Sequence, residues 1–492
     1  MAIGLFPDVA ATHRRRQMWP FVTIARSRQV PPRHYDWPAV GPSHPARTRE
    51  TQPAPVALGY ARAPDGPSVG LHRWAIATLA AMFPLIWFGG LTTSHGAGMS
   101  VPDWPNTYGY NMFAVPWSLW LGESAGGIFY EHTHRLLGSL AGLFAVAATL
   151  WAWGPSRSSA ARRRWGWSAL VLGLLAIASY VIMRADVGGQ HRLFGHLVSG
   201  FGGLGVVTLL GWLARTREPR RWVRWTALAL LITICVQGLL GGLRVTEVNL
   251  ELAITHGIFA QLTFCLAGFL ALATSGWWMM SDRVAAQRDG RPAFWRLALA
   301  SGVVTLLVFA QLIVAAFMRH YEAGMAVPDF PLSYGRLVPP ASEEGLARAN
   351  DIRVFDYKLA PTTLGAIWLH TAHRLGAVLV TLGVIWVMTA ARGIDRAVRP
   401  SRHVWLVAAL LVVQAALGMT TVWMNKPADI ATSHVAVGAV LFLSCWLLTV
   451  RAARLYGWRP AASETAVGRD PAPTAQPRQL APDAEVGVPV SV

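Results

Sequence analysis

The sequence has few charged residues and very few cysteines. Only 14% of its 492 residues are charged and 53% are hydrophobic, and long apolar runs separate short basic clusters. Such dense apolar runs exclude a soluble core and predict a polytopic membrane protein in a lipid bilayer. No disulfide can be read from the sequence, because all the cysteines lie in apolar runs and are interpreted as packing residues. They are Cys235, Cys265 and Cys445.

Ten apolar runs are long enough to cross a bilayer, which takes roughly 17 to 25 residues. They start near Trp74, Leu136, Trp167, Leu193, Trp225, Leu252, Leu297, Leu364, Val404 and Ala431. The arginines concentrate in alternate connections, at residues 162–164, 215–224, 283–296 and 392–402. By the positive-inside rule these connections are cytoplasmic, so both termini are expected in the cytoplasm. Despite the formal charge of +18, clusters this short and this close to apolar runs do not favour nucleic-acid binding.

The composition divides the chain into five segments. Residues 1–70 and 456–492 are rich in proline and alanine and cannot bury a core, so we predict disordered cytoplasmic tails there. Between them we predict a first-half bundle at 71–278, a cytoplasmic linker at 279–296 and a second-half bundle at 297–455. Prolines in the first tail would interrupt an amphipathic transit peptide, which favours the bacterial inner membrane as the location.

One segment of the sequence occurs twice. Residues 97–109 read AGMSVPDWPNTYG, and residues 323–335 read AGMAVPDFPLSYG. A His-Arg pair, a Gln followed by Leu-Gly, and a further His come after each copy in the same order, which indicates two homologous halves. The distance from His-Arg to Gln is 103 residues in the first half and 41 in the second. The first half therefore contains an insertion long enough for two helices, at about 163–222.

Four histidines recur in matched positions, as the pairs His134 with His256 and His373 with His434. All four come at the outer ends of predicted helices, in one leaflet. Imidazole is a suitable axial ligand for haem iron, and two helices can hold the iron between one histidine each. A single helical histidine is more often a packing residue, but the recurrence favours two iron-ligating pairs, one per half. The first half also contains three competing histidines: His132, His191 and His196.

The halves differ at one position of chemical importance. Glu131 precedes His134 by three residues and shares its helical face, whereas its counterpart in the second half is His370. An ionisable group in an apolar region is costly, and a carboxylate can transfer protons. We therefore predict that the reaction takes place in the first half. The alternative is an interfacial Glu131 paired with Arg135 or Arg244.

Three arginines at the outer boundary can bind carboxylates with their planar guanidinium groups. We predict that Arg135, Arg374 and Arg244 hold haem propionates, and snorkelling to the interface is the alternative. The VPDWP and VPDFP segments at residues 101–105 and 327–331 contain two prolines each and are predicted to form rigid outer caps.

In combination these motifs resemble the haem A synthase family, over roughly residues 72–452 apart from the insertion. The first-half motifs are GGLTTSHGAGMSVPDWP (89–105), EHTHR (131–135), QGLLGGLRV (237–245) and ITHG (254–257). Those of the second half are MRHYEAGMAVPDFP (318–331), HTAHR (370–374), QAALG (414–418) and TSH (432–434). The resemblance implies an all-α integral membrane protein of two pseudo-symmetric four-helix bundles, to which this chain adds the two-helix insertion, for about ten transmembrane helices.

The resemblance also implies an activity and its site. His373 and His434 would hold a permanent haem b, while His134, His256 and Glu131 would form the catalytic site facing haem O. The implied reaction oxidises a methyl group of haem O to a formyl through hydroxylated intermediates, for assembly of haem-copper terminal oxidases. It would consume molecular oxygen and electrons from an unidentified donor, for which a quinol is a candidate. Haem O synthase and oxidase assembly factors are further candidate partners.

Two departures and two rival functions accompany this resemblance. Some relatives have a cysteine pair in the outer loops, where this chain has none, and the inserted helices exceed the usual eight-helix plan. A non-catalytic dihaem cytochrome exchanging electrons with quinone is the main rival. It is disfavoured because no helix here has two histidines about thirteen residues, or roughly 20 Å, apart. A transporter is disfavoured because the middles of the predicted helices are apolar.

Overall fold

The computed structural model describes residues 68–123, 125–154, 158–185, 191–214, 217–286, 291–394 and 400–456. Within these ranges the protein is α-helical and contains no β-strand, only two isolated bridges in the outer loops. Ten of the described helices are long and apolar enough to cross a membrane. The prediction of an all-α, multi-pass membrane protein is confirmed. The predicted tails lie almost entirely outside the described residues.

Thirteen α-helices occur in the described part of the chain. In order they are α1 (Val69–Ser94), α2 (Trp117–Trp120), α3 (Gly127–Trp153), α4 (Ser159–Arg184), α5 (His191–Leu213), α6 (Arg221–Thr246), α7 (Leu250–Ala273), α8 (Gly276–Ala286), α9 (Arg291–His320), α10 (Glu343–Phe355), α11 (Leu364–Arg392), α12 (Ser401–Trp423) and α13 (Ala428–Tyr456). A short 3-10 helix at Ala323–Met325 precedes the second VPD segment. Most of the segment predicted as a linker is helical, because α8 and the start of α9 lie in it.

Eight of the ten spanning helices form two four-helix bundles. In the first half α1 packs on α3 and α7, and α6 packs on the same two helices; in the second half α9 and α12 each pack on α11 and α13. The bundles meet where α1 and α7 contact α13, and where α7 contacts α9. One apolar core runs through both bundles, with fully buried leucines from each half. These leucines are Leu71, Leu230, Leu270, Leu297 and Leu448.

Most spanning helices begin earlier than the apolar runs predicted. The clearest case is α3, which begins at Gly127 rather than near Leu136. Its first turns contain polar side chains that hydropathy assigns to a loop, but two of them, Glu131 and His132, are buried against the outer loop. The matched histidines, predicted at the outer ends of their helices, therefore lie within the first three turns and not at the first residue. His134, for example, lies about two turns inside α3.

The insertion consists of α4 and α5, which pack closely on each other beside the first bundle. Only α5 contacts the bundle substantially, through α3, and α4 has a single buried residue, Ser179. At the outer end Ser199 Oγ donates to Asn111 Oδ1 at 2.6 Å, and Arg192 lies 5.4 Å from the ring centroid of Tyr110. The insertion therefore leaves the four-helix arrangement of the first half intact.

Candidate functional site

The structure brings the four matched histidines together in the predicted pairs. The ring centroids of His134 and His256 are 6.4 Å apart, and those of His373 and His434 are 6.3 Å apart. A metal held between two imidazoles requires roughly 6 Å, because each metal–nitrogen bond is about 2 Å and each nitrogen lies about 1 Å from its ring centre. Both pairs therefore have the spacing that fits an iron between two axial ligands.

Each pair offers two ligands, and this number distinguishes between kinds of metal site. In the described part of the chain no group of three or more His, Cys, Asp or Glu side chains is placed to hold a metal ion. A bare zinc ion takes three or four protein ligands. Haem iron already has four porphyrin nitrogens and needs only axial ligands. The donor set thus fits haem better than a bare ion.

Glycines allow the imidazoles to lie directly against neighbouring helices. A Cβ at Gly241 of α6 would lie 3.0 Å from His256 Cε1, and one at Gly418 of α12 would lie 2.9 Å from His434 Cε1. Gly89 of α1 is equally close to the ring of His134, at 2.8 Å. Real Cβ contacts are almost never under 3.0 Å and seldom as short as 3.0 Å, so a side chain at any of these positions would push against the ring.

Backbone carbonyls orient two of the rings. His134 Nδ1 lies 3.0 Å from the Leu85 carbonyl oxygen, and His434 Nδ1 lies 3.1 Å from that of Gln414. A carbonyl only accepts, so Nδ1 is the protonated nitrogen of each ring and Nε2 carries the lone pair that could ligate a metal. In His434 this Nε2 accepts from the Gln414 amide Nε2 at 3.3 Å, a contact that iron ligation would replace. The buried Nδ1 of His256 has no hydrogen-bond partner among the described residues.

His373 is oriented by a side chain that the sequence reasoning missed. Gln311 of α9 donates from Nε2 to the His373 carbonyl oxygen at 2.6 Å, and the same atom lies 2.9 Å from His373 Nδ1. A Cβ at Gly376 would collide with the Gln311 amide, so this glycine makes room for it. The repeat places Leu85 at the equivalent position of α1, and comparing the copies upstream of the VPD segments would have revealed this difference.

Glu131 and His370 make the same contact in the two halves. Val101 N donates to Glu131 Oε2 at 2.8 Å, and Val327 N donates to His370 Nδ1 at 3.2 Å. Glu131 is only 2% exposed, and its Oε1 forms an ion pair with Arg135 at 2.9 Å. The ion pair between Glu131 and Arg135, which the sequence offered as an alternative to a catalytic role, is therefore formed. The Glu131 carboxylate also anchors the outer loop through Val101.

Arg135 and Arg374 are both engaged by the outer loops. The Nη atoms of each arginine together donate to three loop carbonyls, at 2.7 to 2.9 Å. Arg135 donates to the oxygens of Val101, Asp103 and Asn106. Arg374 donates to those of Val327, Asp329 and Leu332. These contacts occupy the donors that a propionate would use. Propionate binding by Arg135 and Arg374 stays a prediction, and Arg244 has only a long contact of 3.4 Å, to the Gly98 oxygen.

The two outer loops are built alike. The Asp103 carboxylate accepts from the backbone N–H groups of Tyr108 and Gly109, both at 2.7 Å, and Asp329 does the same for its own loop. A cis peptide bond precedes the second proline of each VPD segment. The Tyr334 hydroxyl donates to the Ala326 carbonyl, and burial raises the pKa of this phenol, so it remains a neutral donor.

The competing histidines of the first half contact other groups. His132 is buried, with its ring centroid 4.9 Å from that of Trp120 and its Nδ1 3.2 Å from Thr107 Oγ1. His196 contacts Asn111 at 3.2 Å and so joins the insertion to the outer loop. His191 is exposed at the start of α5. Among the described ring contacts, His256 pairs with His134 and with none of these three.

A known protein family matches most of the chain, including both bundles. The model of the COX15-CtaA family, described as cytochrome oxidase assembly protein, matches residues 72–182 and 190–446. The chain belongs to this family. The match includes both histidine pairs and both outer loops, and between its ends it leaves out only residues 183–189, at the end of α4 and in the connection to α5.

Similar proteins within the family are named as haem A synthases. The protein from Rhizobium etli is 26% identical over 385 residues, which cover 76% of this chain and 87% of the relative. That from Methylobacterium sp. is 25% identical over 400 residues, covering 80% and 94%. The protein from Symbiobacterium thermophilum is 30% identical over 234 residues, covering 46% and 67%.

Proposed function

We propose that this protein is a haem A synthase, an oxidoreductase that converts haem O to haem A for haem-copper terminal oxidases. It oxidises a methyl group of haem O to a formyl through hydroxylated intermediates, with molecular oxygen as oxidant and a quinol as a candidate electron donor. The observation that supports this proposal most strongly is the pair of equivalent histidine sites, each spaced for haem iron, in a chain similar to named haem A synthases.

The two sites divide the work in this proposal. His373 and His434 hold a permanent haem b, and His134 and His256 face the substrate haem O. The hydrogen bond from Gln311 Nε2 to the His373 carbonyl oxygen holds the backbone of this histidine, and Leu85 at the equivalent position of the first half cannot make it, which supports a fixed cofactor in the second. When bound, the haems supply the redox chemistry, both electron transfer and activation of oxygen.

Protein groups around the first site bind, orient and exclude water. Gly89 and Gly241 position the rings of His134 and His256. The loop held by Glu131 and Arg135 closes the outer end of α3, which limits access of water. We place the proton transfer at Glu131 Oε2, which accepts from Val101 N–H and has a second lone pair that can take up a proton.

The proposed topology puts both histidine pairs near the outer face of a bacterial inner membrane, with cytoplasmic termini. Arginines at the opposite ends of the helices support it, because basic residues favour the cytoplasmic side. Arg224 contacts Trp153 at the inner end of α3, and Arg454 lies 3.8 Å from the Trp278 ring.

The synthase activity is tested by producing the protein in a host that makes haem O but lacks haem A. Extraction and chromatography of the haems should yield haem A or its hydroxylated intermediate. A host carrying the His256→Ala variant is the matched control and should accumulate haem O. A haem-loaded wild-type protein that produces neither haem A nor the intermediate would overturn the proposal.

The role of Gln311 is tested by Gln311→Leu, which installs the residue found at the equivalent position of the first half. Haem b affinity should fall about 10- to 100-fold, because His373 loses the partner that orients it. The affinity is measured by titrating haem-depleted protein in detergent. Thr305→Val, which removes the hydrogen bond to Thr449 deeper between α9 and α13, is the control and should leave the affinity unchanged. Equal affinities of Gln311→Leu and wild type would contradict this role.

A further inference from the structure

Each half contributes one arginine near the outer end of a helix, but from non-equivalent helices. In the first half it is Arg244 of α6, whose equivalent in α12 is Thr421. In the second half it is Arg319 of α9, whose equivalent in α1 is Thr93. Both are separate from Arg135 and Arg374, which hold the outer loops. The alignment of the two halves therefore pairs each of these arginines with a threonine, so neither has a basic counterpart in the other half.

Arg319 lies at the junction of the two bundles with part of its guanidinium unused. Its Nη2 donates to the Gly90 carbonyl oxygen at 2.6 Å and to Ser94 Oγ at 2.9 Å. Ser94 Oγ in turn lies 3.0 Å from Thr432 Oγ1 of α13. Among the described residues, no carboxylate forms an ion pair with Arg319, and its hydrogen bonds engage Nη2 alone. A cation without a counter-ion is costly in an apolar surrounding, so an anionic ligand is expected there.

The position of Arg319 relates it to the second histidine pair. Gln311, Ala315 and Arg319 follow one another at four-residue intervals and so lie along one face of α9. Gln311 binds His373, and Arg319 lies two turns, or about 12 Å, closer to the outer end of the helix. Thr432, which Ser94 contacts, precedes His434 by two residues. Arg319 therefore lies on the outer side of this pair, between α9, α13 and α1.

We propose that Arg319 binds a propionate carboxylate of the haem held by His373 and His434. The inference rests on the proposed function and deepens it by naming an anchor for the cofactor. A guanidinium with free donors matches a carboxylate in a planar, two-pronged contact, which a lysine cannot reproduce. Arg374 also belongs to this half, but its Nη atoms hold three loop carbonyls, whereas Arg319 keeps Nε and Nη1 available.

A binding titration with two ligands separates propionate recognition from a structural role. The full-length protein is produced without haem, solubilised in detergent and titrated with haem b and with its dimethyl ester, whose side chains are uncharged. In Arg319→Thr, the residue of the first half, the dissociation constant for haem b should rise about 10- to 100-fold, the loss of a charge-assisted hydrogen bond. The dissociation constant for the dimethyl ester should equal that of wild type.

Ser94→Ala is the matched control, because it removes a partner of Nη2 and keeps the guanidinium. It should bind both ligands within about twofold of wild type, in line with the small net value of a neutral hydrogen bond. Equal weakening of both ligands in Arg319→Thr, or no weakening of either, would overturn the proposal and leave Arg319 as a bridge between the bundles. Haem A formation by the wild-type protein is measured separately. If the wild type forms no haem A but Arg319→Thr weakens haem b binding and not that of the ester, the synthase function is refuted while Arg319 is still a propionate ligand.

Discussion

Replacing His434 by alanine should abolish haem b binding in the second half and, with it, haem A formation. Each pair supplies two imidazoles and no third ligand, so loss of one leaves an iron site that the described side chains cannot complete. Loss of an orienting partner alone costs about 10- to 100-fold in metal affinity, so loss of a ligand should cost more than about 100-fold. The measurement is the visible spectrum of the purified protein, in which the absorption of a low-spin, bis-histidine haem should disappear.

The two halves provide the controls for this prediction. His256→Ala removes the equivalent ligand of the first half and should retain the haem b spectrum while haem A formation stops. His132→Ala removes a buried histidine that contacts Thr107 and Trp120 instead of an iron pair, and it should keep the spectrum as well. If His434→Ala retains the low-spin spectrum, the assignment of haem b to this pair is wrong.

The repeat made the histidine pairs predictable, because it supplied a second copy against which each position could be checked. Hydropathy alone could not separate His134 from His132, two residues apart on one helix. The recurrence of His134 as His373, and of a threonine at the position equivalent to His132, made that distinction. The structure then places the recurring residues 6.3 and 6.4 Å from their partners.

The helix starts and the orienting contacts were not predictable in the same way. Hydropathy puts the start of a helix where the apolar run begins, but Glu131 and Arg135 belong to α3 because they bind the outer loop and each other. Gln311 looked like any polar residue in a spanning helix until the fold placed it beside His373. The polar helix α10 lies in the outer segment of the second half, where the first half has only the four-residue α2, so the repeat gave no information about it.

The position of an arginine near the outer end of a helix does not by itself predict which group its guanidinium binds. Arg135 and Arg374 come directly after the matched histidines, which favoured them as propionate ligands. Their Nη atoms bind loop carbonyls, because the VPD segments turn their backbone oxygens towards α3 and α11, and propionate binding by these two arginines stays a prediction. Arg319 drew no attention in the sequence because its equivalent is Thr93, and its free donors become apparent only with its contacts to α1.

Replacing Glu131 by histidine, the residue of the second half, should stop haem A formation while the loop stays anchored. His370 accepts the Val327 N–H, so a histidine at position 131 can accept the Val101 N–H in the same way. The carboxylate is lost, however, and the imidazole that replaces it uses its Nδ1 lone pair for this hydrogen bond and carries a proton on Nε2, so it has no lone pair free to accept a proton. General acid–base catalysis contributes about 10²- to 10⁴-fold, so haem A formation should fall by that factor with haem b still bound.

Hydrogen exchange at the Val101 amide distinguishes the anchoring role from the chemical one. The Glu131→His variant should keep this amide protected, whereas Glu131→Ala, which removes the acceptor, should lose the protection as well as the activity. Because Glu131 Oε1 also pairs with Arg135, the alanine variant frees a guanidinium that then competes for the loop carbonyls, so its loss of activity alone would be ambiguous. Full activity in Glu131→His would show that a carboxylate is not required at this position. The carboxylate would then be an anchor for the loop, and the proton would have to move through another group of the first half.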